Sequence, residues 1–114
     1  MKITVEELER YALIMVEGSL SNEHQKDLSE TITRIMEGHR FILVDFSKLI
    51  FITSSGLGLL LKKNVIAKEK GRKMLLFGLS EDMAKLFKLT ELYYHLNVRD
   101  TLEDCLEDIK KSEN

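Results

Sequence analysis

Three hydroxyl side chains in a row, Thr53, Ser54 and Ser55, precede two closely spaced glycines in the stretch "FITSSGLGLLLKK", residues 51–63. A hydroxyl there can cap a helix, act as a nucleophile or line a surface for another molecule. Nucleophilic catalysis needs a base within reach, and the three histidines, His24, His39 and His95, show no spacing that pairs one with a serine. "TSSGLG" also lacks the G-x-S-x-G turn of a hydrolase elbow. The stretch has glycine and lysine without the order G-x-x-x-x-G-K-[ST], so it gives no phosphate-cradling loop beyond a helix start. No carboxylate joins the scattered histidines at metal-ligating spacing. The sequence thus assigns no catalytic residue, no metal and no cofactor, and predicts a protein that is not an enzyme.

Capping needs one hydroxyl, and Ser54 and Ser55 both fall where a helix should begin. Gly56 and Gly58 then sit inside the first turns, each costing about 1 kcal/mol in helix propensity. Such a cost suggests that something approaches the backbone closely, either another strand of the domain or a partner. At 100° per residue, Leu57, Leu60, Leu61, Val65 and Ala67 form the stripe expected to face the core. Leu59 and Ile66 fall opposite, beside Lys62, Lys63 and Lys70, and predict an apolar pair in a basic frame on a partner-binding face.

The elements that position this stretch follow from local patterns. "ITVEEL" and "YALIMVEG" read as an antiparallel pair of strands. Ser21 predicts a helix cap, with Leu28, Ile32, Ile35 and Met36 on one face up to Gly38. "FILVDF" is an unbroken apolar run, as expected of a central strand covered on both faces. The hydroxyl stretch comes next, then a helix from about Ser55 to Lys70 stopped by Gly71, then the strand "KMLLFGL". Strand, helix and strand make a parallel crossover, and functional loops in such sheets lie at the carboxyl ends of strands. Ser80 caps a short helix reaching Leu89, "YYHLNV" suggests a last edge strand, and Thr101 with Asp104 opens a closing helix.

At 114 residues the chain predicts one domain, residues 1–110, with a flexible tail at 111–114. Hydrophobic residues at 44% and charged residues at 32% fit a folded globular protein. The net charge of −2, without a long basic run, argues against nucleic acid as a partner. No apolar run approaches the ~20 residues of a membrane span, and no secretory leader is recognisable, so membrane insertion is not expected and the cytoplasm is. The lone Cys105 shares helical spacing with Leu102, Leu106 and Ile109 and predicts plain core packing.

"DFSKLIFITSSGLGLLLKK" resembles the signature of STAS domains, above all the anti-sigma factor antagonists. "VEGSLS" is similar to the segment before that family's first helix, and "GRKMLLFGLSEDMAKLFKLTELYYHL" to its later strand, helix and final strand. The resemblance implies an α/β fold: a single STAS-like domain with a mixed sheet of about five strands and about four helices packed largely on one face. It also implies a bacterial, cytoplasmic regulator of transcription that works by partner-switching. The unphosphorylated form would bind an anti-sigma factor serine kinase and release the sigma factor. Phosphorylation would end that binding, and a metal-dependent serine phosphatase would restore it.

Ser54 matches the family's phosphorylated serine, with Ser55 and then Thr53 as the next choices. Thr53 stands where the family usually carries aspartate, and Ser21 where an aspartate often precedes the first helix. The partner surface expected from the resemblance and the helical phase together comprises Ser21, Thr53, Ser54, Ser55, Gly56, Leu57, Gly58, Leu59, Lys62, Lys63 and Ile66. The second reading is a STAS module of another assembly, such as a stress-signalling complex or a lipid transporter subunit.

Overall fold

Alternation of Ile3 and Val5 with polar neighbours produces, in the computed structural model describing residues 1–112, strand β1 (Lys2–Glu7), antiparallel to β2 (Ala12–Leu20). The Leu8 amide donates to the Tyr11 carbonyl at 2.9 Å and closes the hairpin. Helix α1 (Gln25–Gly38) buries Leu28, Ile32, Ile35 and Met36, the face that the spacing predicts. Strand β3 (Phe41–Ile52), helix α2 (Ser54–Glu69) and strand β4 (Lys73–Phe77) then form the expected parallel crossover. After α3 (Glu81–Leu89) come a 3-10 turn (Leu92–His95), the two-residue strand β5 (Val98–Arg99) and α4 (Leu102–Ser112).

Strand order is β1-β2-β3-β4-β5, and only the first pair is antiparallel, which puts β3 at the centre. Its continuous apolar run serves two faces. Ile42, Val44 and Phe46, with Met74 and Leu76 of β4, pack under α1, α2 and α3. Phe41, Leu43, Leu75 and Phe77 pack on the other face against Cys105 and Ile109 of α4. Three helices therefore share one face and α4 covers the other. Burial raises the Cys105 thiol pKa to about 11, which keeps it protonated in the core. Arg99 donates to Asp108 at 2.6 and 2.7 Å, tying the short β5 to α4.

Several boundaries differ from the sequence reading. β2 and β3 run on to Leu20 and Ile52, beyond Gly18 and Phe46, as a two-stranded arm with register shifts at Met15/Glu17 and Gly18/Ser19. Gly18 takes φ +101° there, a conformation open to glycine. Helix α1 starts at Gln25, and Ser21 does not cap it: the Ser21 carbonyl accepts from the His24 amide in a preceding turn. The first half of "YYHLNV" belongs to the 3-10 turn, and Val98 is its sole strand residue. Lys111 and Ser112, expected in the tail, belong to α4, and residues 113–114 of the expected tail lie outside the described residues. The caps at Ser80 and Thr101 form as read, accepting from the Met83 and Asp104 amides at 3.1 and 3.2 Å.

Helix α2 has a different phase from the expected one. Val65, assigned to the core stripe, is 48% exposed, while Ile66, assigned to the surface, packs against the main core. The cause is Asn64, 2% exposed, whose Nδ2 donates to the His95 carbonyl at 2.9 Å and whose Oδ1 meets Asn97 Nδ2 at 3.5 Å. A satisfied amide is thus part of the buried stripe, and the helix turns to keep it there. Asn64→Ala is expected to destabilise the domain by about 2 kcal/mol, read from urea unfolding, because it removes a buried side chain and strips the part-buried His95 carbonyl of its donor.

Candidate functional site

The arm of β2 and β3 delivers the chain to α2. Its last pair is Leu20 with Ile52, and the Thr53 amide donates to the Leu20 carbonyl at 3.2 Å. Thr53 is extended, with φ −82° and ψ 163°, and its Oγ1 accepts from the Gly56 amide at 3.1 Å. The cap is therefore Thr53, not Ser54 or Ser55, which become the first two residues of the helix. Threonine does here what an aspartate could do equally well, since both offer an oxygen to the free amides of the first turn.

The two serines have different surroundings. Ser55 Oγ donates to Asn22 Oδ1 at 2.7 Å, accepts from Gln25 Nε2 at 2.7 Å and lies 3.2 Å from Thr53 Oγ1. With the Ser55 proton given to Asn22, Thr53 is the donor in the last contact, and the Ser55 hydroxyl has one donated and two accepted bonds. It is full. Gln25 Nε2 also donates to Asn22 Oδ1 at 2.9 Å, which closes the knot. Asn22 and Gln25 went unnoticed in the sequence because their role depends on a contact across 30 or more positions. Ser54 is exposed, and its hydroxyl has no hydrogen-bond partner among the described residues.

The glycines also divide. A Cβ on Gly56 would lie 2.9 Å from Ile52 Cγ1 and 3.4 Å from Leu20, so the close approach there is made by the domain's own strands. Gly58 is exposed, with nothing within 4 Å of where its Cβ would be. Leu57 is buried and belongs to the core, so it offers no partner surface. Leu59 is half-buried, Lys62 is exposed, and Lys63 Nζ donates to Thr33 Oγ1 of α1 at 2.8 Å. Partial burial, with Lys62 and Lys70 nearby, lowers the Lys63 pKa from its ordinary value. Lys63 and Ile66 thus join α2 to the rest of the molecule and do not frame an open surface. Ser21 is half-buried in its turn.

An exposed apolar surface lies instead on the strand that leads into Ser54. Ile50 and Phe51 of the arm are 79% and 53% exposed. With Leu86 and Met83 of α3 they line a cleft of about 240 Å³, edged by Ser80 and Asp82. A strand read only to Phe46 concealed them. Among the described residues, no group of three or more His, Cys, Asp or Glu could hold a metal ion, and no helix is long and apolar enough to cross a membrane.

Residues 2–105, nearly the whole chain, match the sequence model of the STAS domain. The chain belongs to the STAS domain family. This STAS domain shares its fold with the anti-sigma factor antagonist SpoIIAA in its unphosphorylated form, at TM-score 0.79 and 19% identity over 96% of this chain and 97% of the other. The phosphorylated Bacillus SpoIIAA, described as a cell fate determinant, gives 0.71 and 22% over 95% and 99%. An anti-sigma factor antagonist from Mycobacterium paratuberculosis gives 0.80 and 19% over 96% and 93%. At these identities the likeness establishes the fold: a five-stranded mixed sheet with four helices, as the resemblance implied.

Proposed function

We propose that this STAS domain is an anti-sigma factor antagonist whose unphosphorylated form binds an anti-sigma serine kinase, frees the sigma factor, and is switched off by phosphorylation of Ser54. The observation carrying this reading is the state of the three hydroxyls. Thr53 is half-buried and spent on its cap, Ser55 has all its hydrogen bonds, and Ser54 alone is exposed and uncommitted. Transfer moves the γ-phosphoryl group of ATP to Ser54 Oγ, releasing ADP and the hydroxyl proton. A phosphatase using a metal-activated water reverses it by hydrolysis. The added charge lies at the amino end of α2, where free amides favour an anion, so the domain keeps its fold and the effect falls on the interface. Gly58 and Lys62 on the helix that Ser54 opens, and Ile50 and Phe51 on the strand before it, are exposed and are the docking surface of this reading. The protein acts in the bacterial cytoplasm, where sigma factors and their kinases are found.

The test is incubation with candidate anti-sigma kinases and ATP, followed by phosphosite mapping. Wild type and Ser55→Ala are expected to take one phosphate on Ser54, and Ser54→Ala none. Full modification of Ser54→Ala would overturn the assignment.

A further inference from the structure

The open edge of the sheet at β1 is unused by this reading. β1 pairs with β2 in continuous register from Lys2 to Glu7 without a bulge, and the chain has no proline to block an edge. The opposite edge, β5, is two residues long and offers little to pair with. Ile3 and Val5 are only half covered by the main core, and with Met1 they floor a cleft of about 510 Å³ walled by Asp27, Glu30 and Arg34 of α1. Lys2, Thr4 and Glu6 point to the other face and are exposed.

We propose that β1 is a homodimerisation edge, along which two copies pair antiparallel about a twofold axis at Thr4. This register sets Lys2 opposite Glu6 of the second copy at both ends, Thr4 opposite Thr4 in the middle, and Ile3 opposite Val5 on the cleft side. Charges of opposite sign meet on one face and apolar side chains on the other, the pairs that stabilise antiparallel strands. One-residue slips would turn the apolar side chains to the wrong face.

Helix α1 supports the same partner. It connects the parallel strands β2 and β3, so it runs back along β2 and hence in the direction of β1. Its cleft wall is acidic at Asp27 and Glu30 and basic at Arg34. A twofold reverses the second copy, bringing the basic end of one wall to the acidic end of the other. Strand and helix are each self-complementary, which favours a second copy over an unrelated peptide. Ser54 lies beyond the end of β3, two strands from this edge, so pairing leaves it accessible and makes the assembly bivalent.

Sedimentation of the full chain over a concentration series tests this. Wild type is expected to form a reversible dimer, and Lys2→Glu or Glu6→Lys to weaken it about tenfold by facing like charges across the strands. The double swap, Lys2→Glu with Glu6→Lys, is expected to restore it. Under mild oxidation Thr4→Cys is expected to crosslink into a dimer, because directly opposite Cα atoms about 4.5–5.5 Å apart suit a disulfide. Lys2→Cys is not, and the native Cys105 is buried and stays reduced. A wild type that remains monomeric up to millimolar concentration, a double swap no better than the single changes, or equal crosslinking through Lys2→Cys would each overturn the proposal.

Discussion

Ser54→Asp is expected to weaken binding to the proposed anti-sigma kinase partner about a hundredfold, with the circular dichroism spectrum unchanged. A hundredfold loss corresponds to about 2.7 kcal/mol, within the cost of closing an interface over a charge that lacks a partner. The domain itself tolerates the carboxylate, since Ser54 is exposed and stands at the positive end of α2. Titration calorimetry with the kinase checks the outcome. Undiminished affinity would refute the switch, whereas unfolding would mean that the Ser54 side chain is not free as described.

The second large effect concerns the paired glycines. Gly56→Ala is expected to destabilise the domain by about 1–3 kcal/mol, because the added methyl meets Ile52 at 2.9 Å inside a packed corner. Gly58→Ala has open space and is expected to stabilise by about 0.5–1 kcal/mol through helix propensity. Calorimetric melting should separate the two variants by about 10 °C. If instead both melt alike, the corner between α2 and the arm is looser than its distances imply. Gly58→Ala has a further use: lower kinase affinity at raised stability would identify Gly58 as a point of close approach by the partner.

Features legible in the sequence were those with local causes. Ser80 and Thr101 cap their helices because a cap is written within three residues, and the run "FILVDF" declares its own burial on two faces. The hydroxyl stretch was recognisable for the same reason, as one contiguous segment feeding α2. Distant contacts hid the rest. The arm escaped notice because the register shifts in its ladder break the alternation of period two, leaving Leu49 and Ile52 buried but Ile50 and Phe51 exposed. The phase of α2 turned on Asn64, a polar residue whose place in the core depends on the His95 carbonyl. The start of α1 slipped because the chain first makes a turn, the His24 amide donating to the Ser21 carbonyl, and only then enters the helix at Gln25, whose side chain with that of Asn22 reaches Ser55.

The knot around Ser55 and the Thr53 bond to Leu20 also bear on how quickly an encounter succeeds. A segment fastened at both ends before any collision surrenders little freedom on capture, so binding of the proposed partner is expected to be governed by how the two bodies happen to be oriented. The rate of association should then respond weakly to viscosity-independent loop rearrangement and strongly to the charges that steer the approach.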